Sequence, residues 1–141
     1  MALTLLFTVA AMRVLIIEQE KTIKESLSYF MERYKNFEVF LAHSRKEGVS
    51  LFRTVPFDMV LCGERLPDGN GMEMLKEWVG QNPDLISVLM TVRNDDLLRQ
   101  EAKQAGIRGY LVKPFDLSQL EEVIGISDFG MRIAELNEER R

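Results

Sequence analysis

The hydrophobic positions of this chain change period as it runs. Arg13-Val14-Leu15-Ile16-Ile17 is a continuous apolar run, rich in β-branched residues, behind one arginine. That is the pattern of a strand buried on both faces. Glu18-Gln19-Glu20 ends it with acid. The spacing then turns helical: Ile23, Leu27, Phe30, Met31 and Tyr34 share a face, which predicts an amphipathic helix over residues 21–34. Phe37 to Ala42 alternates in part and reads as a second strand, nearer a sheet edge. Ser44-Arg45-Lys46-Glu47 is a capping box, and its helix carries Val49 and Phe52 inward before Pro56 stops it. Asp58 to Cys62 is a third strand, ending at Gly63. Leu66-Pro67-Asp68-Gly69-Asn70-Gly71 is punctuated as a turn, and Met72, Leu75, Trp78 and Val79 mark the next helix, to about Gly80. Residues 85–90 form a fourth strand. Asn94 is placed to cap a helix whose positive end suits Asp95 and Asp96; Leu98, Ala102 and Ala105 face inward, and Gly106 follows as a C′ glycine. Gly109 to Val112 is a fifth strand, broken by Lys113-Pro114. Asp116 caps a last helix with Leu117, Leu120 and Ile124 inward.

Five strands alternating with five helices predict an α/β protein: three layers around a five-stranded parallel sheet. Right-handed crossovers and short connections favour the flavodoxin-like strand order 2-1-3-4-5.

The 141 residues suffice for one domain with a core. The net charge of -4 and the absence of a Lys/Arg cluster argue against nucleic acid as a partner. A single cysteine, Cys62, excludes an internal disulfide and fits a reducing, cytoplasmic setting; a single histidine, His43, leaves little for a histidine-based metal site. Residues 1–11 are apolar. They are too short to span a membrane and have no basic residue ahead of them, as a signal peptide would. They read as an extension before a domain of residues 12–126 that begins at Met12. The alternative is a short extra strand or a segment packing on a neighbouring subunit. Residues 127–141 hold good helix formers with a basic end, and read equally as a solvated terminal helix, a linker to an output domain or a dimer contact.

In open α/β sheets, function gathers beyond the carboxyl ends of the strands. There the sequence sets Glu18 and Gln19 after strand one, Gly63 at the end of strand three, Thr91 after strand four, and Lys113-Pro114 after strand five, with Tyr110 three residues before Lys113. This set, carried by VLIIEQE, FDMVLCGERLPDGNGMEML, SVLMTV and GYLVKPFDL, resembles the receiver domain of two-component response regulators over about residues 12–126. The resemblance implies an aspartate phosphoacceptor at the position of Gly63. It implies an acidic pair that helps hold magnesium at Glu18 and Gln19, and phosphoryl contacts from Thr91 and Lys113. It also implies an aromatic switch at Tyr110 and a cis bond before Pro114. A carboxylate attacks phosphorus in line to form an acyl phosphate, while the metal, the ammonium and the hydroxyl neutralise its oxygens.

This chain departs where that chemistry is done. Gly63 has no nucleophile, Gln19 is a neutral amide, and Glu18 is longer than aspartate by a methylene. Magnesium binding is accordingly expected to be weak or absent, and no other cofactor is implied. With the aspartate gone, Glu18 is the expected partner of Lys113. Thr91 has a second reading, as a cap for the loop after it, and Tyr110 is as readily static as mobile. Glu64 reads as an exposed loop acid rather than a replacement acceptor or a permanent mimic of the phosphorylated acid, because neighbours along an extended chain point oppositely. Asp68 reads as a turn former, Cys62 as an inert buried thiol and His43 as a surface residue.

The reading is a non-enzymatic signalling module of the receiver type, in a phosphorelay context, that is not phosphorylated by the usual aspartyl route. Its expected partner is a protein, bound on the face of the fourth helix, fifth strand and fifth helix (residues 94–126), with a homodimer as a second arrangement. Neither nucleic acid nor a membrane is expected. One alternative is phosphorylation on a non-standard carboxylate. Another, of a different class, is a small flavodoxin-like enzyme or cofactor binder. The second would need a phosphate-cradling loop after strand one, where this chain has Glu18-Gln19-Glu20.

Overall fold

A computed structural model describes residues 12–33 and 37–125. The apolar extension, the tail at 127–141 and the inward position read for Tyr34 lie outside the described residues. The chain runs β1 (Met12–Ile17), α1 (Lys21–Glu32), β2 (Phe37–Ala42), α2 (Arg45–Thr54), β3 (Met59–Gly63), β4 (Arg65–Leu66), β5 (Gly69–Asn70), α3 (Gly71–Gln81), β6 (Ile86–Thr91), α4 (Asp96–Gln104), β7 (Gly109–Val112) and α5 (Leu117–Gly125). The main sheet has the order β2-β1-β3-β6-β7, and every neighbouring pair in it is parallel. Counting its five strands alone, this is the expected 2-1-3-4-5. The turn-rich loop after β3 adds a miniature antiparallel hairpin, β4–β5.

Alternation along the central strands sorts the core into two layers. Leu15, Ile17, Val60, Cys62 and Leu89 face α2, α3 and α4, where Met72, Leu75, Trp78 and Leu98 are buried. Val14, Ile16, Met59, Leu61, Val88 and Met90 face α1 and α5, meeting Leu27, Phe30, Met31, Leu120 and Ile124. Trp78 stacks on Phe52 of α2 with ring centroids 3.9 Å apart. At about 1.5–3 kcal/mol per buried large apolar side chain, the five such residues of α3 hold it to the sheet far more firmly than its cap does. The edge position of β2 matches its partial alternation, and Leu41 there is exposed.

Capping differs in detail from the sequence reading. Ser44 Oγ accepts the Glu47 N–H, but the Glu47 carboxylate accepts from His43 N, one residue beyond the expected box. The α4 cap is Asp95, not Asn94: its Oδ1 accepts the N–H groups of Leu97 and Leu98, while Asn94 accepts from Arg99 instead. Asp116 caps α5, and Gln119 returns a bond to the Asp116 N–H, completing a box. Gly106 follows α4 with φ +92°, the left-handed conformation that favours glycine. Leu117 is 39% exposed rather than inward, because it opens the first turn of α5, ahead of the turn that meets the sheet.

Candidate functional site

The parallel sheet brings four strand ends to one edge. Glu18, just past β1, is fully buried, and its backbone N–H bonds to Ala42 O of β2. Gly63 closes β3. Thr91 closes β6 and is buried, and its carbonyl accepts the Lys113 N–H, locking the start of the segment after β7 against β6. The Lys113–Pro114 bond is cis.

Two carboxylate–cation groups fill this edge. In the first, Lys113 Nζ lies 2.6 Å from Glu18 Oε1 and 3.3 Å from Glu20 Oε1, while Glu18 Oε2 accepts the Glu20 N–H at 2.8 Å. This is the expected Glu18–Lys113 pair, with Glu20 as a second acid that the sequence reading passed over. A Cβ built on Gly63 would lie 2.7 Å from Glu18 Oε1. The longer acid thus uses the room that a side chain at 63 would need. Gln19 is exposed.

In the second group, Glu64 is at the centre. The expectation of an exposed loop acid is wrong: Glu64 is 4% exposed. Its Oε1 accepts from Thr91 Oγ1 at 2.5 Å, and its Oε2 accepts from Arg93 Nη1 at 2.8 Å. The alternation argument failed because β3 ends at Gly63 and the chain bends at Glu64, so strand periodicity no longer sets side-chain direction. The Arg93 N–H donates to Thr91 Oγ1, and Tyr110 OH donates to Arg93 O at 2.6 Å. Arg99 lies over the Tyr110 ring, 4.6 Å from its centroid. Burial pushes the Tyr110 hydroxyl up from its ordinary pKa. Thr91 and Lys113, expected to act on one ligand, therefore have their side chains on different carboxylates. Arg93 was missed by sequence reasoning; its signal was a lone cation two residues past the threonine.

Asp68 does more than form a turn. Its carboxylate accepts the backbone N–H groups of Arg45 and Lys46, tying the β4–β5 hairpin to the start of α2. Those bonds hold its carboxyl below the usual carboxylate pKa, with Lys46 contributing most. Cys62 is buried, and desolvation, reinforced by Glu18, pushes its thiol up, so the reactive thiolate is disfavoured. His43 is exposed.

Comparison with known proteins places this geometry. The model of the response regulator receiver domain family matches residues 14–125. This chain belongs to that family. The receiver domain is 30% identical over 112 residues to the response regulator protein PilR of Pseudomonas aeruginosa, covering 79% of this chain and 25% of that one. It is equally identical over 112 residues to the transcriptional regulatory protein CrdR of Helicobacter pylori, covering 77% and 51%. It spans a fifth to about half of the length of the curated relatives it matches. Among solved structures, the non-phosphorylated HemR receiver domain of Leptospira biflexa superposes with a TM-score of 0.73 at 30% identity, covering 82% of this chain and 96% of that one. A response regulator from Burkholderia pseudomallei, which carries a phosphorylated aspartic acid and a calcium ion, shares the fold with a TM-score of 0.71 at 19% identity, covering 92% and 72%. Receiver domains are signalling modules that interact with proteins in two-component systems.

The donor set does not fit a divalent cation. One Glu18 oxygen faces the Lys113 ammonium and the other a backbone N–H, and residue 63 offers no carboxylate. Among the described residues, no three His, Cys, Asp or Glu side chains are placed to hold a metal ion, and no helix is long and apolar enough to cross a membrane.

Proposed function

We propose that this receiver domain is a cytoplasmic, non-enzymatic signalling module whose output is protein binding, and that it accepts no phosphoryl group by the usual aspartyl route. The observation that carries the reading is at Gly63. The position has no nucleophile, and the room its side chain would take is used by the Glu18 carboxylate, itself neutralised by Lys113. Attack on phosphorus needs a free, aligned carboxylate. Both buried acids near the strand ends are already engaged by cations and hydrogen bonds, which argues against a substitute acceptor. The binding surface in this reading is the face of α4, β7 and α5, available to a protein partner or a second copy. Residues 12–126 are the signalling unit, with 1–11 and 127–141 as extensions to it.

The test is incubation of the purified chain with a small phosphodonor and magnesium, followed by intact mass measurement. The mass is expected to stay unchanged. A stable gain of one phosphoryl group, mapped to a carboxylate, would refute the reading.

A further inference from the structure

Glu64 is positioned by its backbone before its side chain does anything. Its N–H donates to Met90 O of β6 at 2.8 Å, and its carbonyl accepts the Gly71 N–H at the start of α3 at 2.7 Å. The carboxylate is therefore delivered to a fixed point at the end of β6. There it accepts both the Thr91 hydroxyl and the Arg93 guanidinium. Arg93 passes the connection on in two directions. Its Nη2 donates to Asp95 Oδ2, and Asp95 caps α4. Its carbonyl accepts the Tyr110 hydroxyl, while Arg99 of α4 covers the ring. One buried anion thus joins the end of β3 to the first turn of α4 and to the aromatic residue of β7.

We propose that Glu64 is a built-in anion that holds Thr91, Arg93 and Tyr110 in a single arrangement, so that the chain's own carboxylate sets the α4–β7 face. A buried carboxylate with two donors on separate oxygens is a charge-assisted clamp, and such bonds are among the stronger ones in proteins. Val92 and Leu97 are exposed and lie on the segment the clamp fixes. The device therefore determines how those apolar side chains are presented to a partner. The inference goes beyond the reading of Gly63 and stands on Glu64's own contacts. A phosphoryl gain by the wild-type chain on a carboxylate other than Glu64 would overturn that reading without touching this one.

The experiment follows the Arg93 amide by hydrogen exchange and the Tyr110 ring by carbon-13 tyrosine NMR, its signal assigned with Tyr110→Phe. Both are measured on the full chain in wild type, Glu64→Ala and the near-isosteric Glu64→Gln. Trp78 fluorescence checks that each variant is folded. In Glu64→Ala, exchange at Arg93 is expected to quicken at least about tenfold, on the scale of a lost charged hydrogen bond, and the Tyr110 signal to move. Added formate should reverse both changes, and chloride at equal ionic strength should not. Glu64→Gln, which keeps an acceptor for Thr91 but loses the charge facing Arg93, should loosen Arg93 as well. A folded Glu64→Ala with both probes unchanged overturns the proposal. So does a Glu64→Gln that matches wild type, which would show the charge to be dispensable. Loosening that formate fails to reverse assigns the effect to lost side-chain volume and overturns the anion role too.

Discussion

Replacing Lys113 with methionine keeps an unbranched side chain one atom shorter and removes its charge. Glu18 is fully buried and the Lys113 side chain is 10% exposed, so solvent does little to screen the pair. At an effective dielectric of about 20, charges in hydrogen-bonded contact attract by roughly 5 kcal/mol, much of it offset by the desolvation of both groups. Removing one partner abolishes the attraction and leaves the other desolvated, which typically destabilises by about 3–5 kcal/mol. Glu18 would keep one compensating bond, the Glu20 N–H on Oε2. That places Lys113→Met near the lower end, about 3 kcal/mol. The assay is urea unfolding read by Trp78, the single tryptophan, which is buried against Phe52. With a denaturant slope of about 2 kcal/mol per molar, the midpoint should fall by roughly 1.5 M. A second variant isolates the cause. Glu18→Leu combined with Lys113→Met removes both charges and should return to within about 1 kcal/mol of wild type, as apolar replacements of buried pairs do. A Lys113→Met chain that stays within about 1 kcal/mol of wild type, or two substitutions whose effects simply add, would show that the buried pair is not coupled in this way.

Gly71→Ala should destabilise by about 3 kcal/mol or more, measured by the same unfolding assay. Its Cβ would lie 1.9 Å from the Gly63 carbonyl oxygen, a backbone atom with no freedom to yield. Gly80→Ala, with nothing within 4 Å of its Cβ, should instead stabilise by about 0.5–1 kcal/mol through a less flexible unfolded chain. Acid dependence should follow Asp68 and Asp95, whose carboxyls are held below the ordinary range by backbone N–H donors, with Arg93 adding to the effect at Asp95. A depressed folded pKa gives stability that is in place above the unfolded value of about 3.9 and is lost as pH falls through the folded one. The midpoint difference between wild type and Asp68→Asn should therefore be constant from about pH 7 to pH 5 and shrink below about pH 4.

The strands were legible because β-branched runs such as Val14 to Ile17 leave few other options, and the helices because their apolar faces repeat at 3.6 residues. The Glu18–Lys113 pair was legible for a different reason. Topology places both residues at one edge, and loss of the aspartate leaves Lys113 with few acids to meet. What stayed hidden depends on where the chain leaves regular structure. Glu64 stands one residue past β3, where alternation stops predicting direction, so its burial and its hold on Thr91 and Arg93 could not be read from spacing. The reach of Asp68 to the start of α2 spans more than 20 residues and is set by how the β4–β5 hairpin docks, a tertiary fact. The α4 cap is Asp95 rather than Asn94 because the helix opens at Asp96; Asp95 also pairs with Arg93, so one residue caps the helix and joins the Glu64 group.

On the reading proposed above, this receiver's reaction centre is both unmade and refilled. Gly63 supplies no nucleophile, and the Glu18 carboxylate, paired with Lys113, takes the room a side chain there would need. The most direct measurement is phosphodonor incubation with intact mass analysis of three chains side by side: wild type, Gly63→Asp with Gln19→Asp, and those two with Glu18→Asp, which shortens the obstructing acid. On that reading, wild type gains nothing, the double variant little and the triple variant one phosphoryl group. A phosphoryl gain in the wild-type chain, or a double variant that gains as readily as the triple, would contradict it.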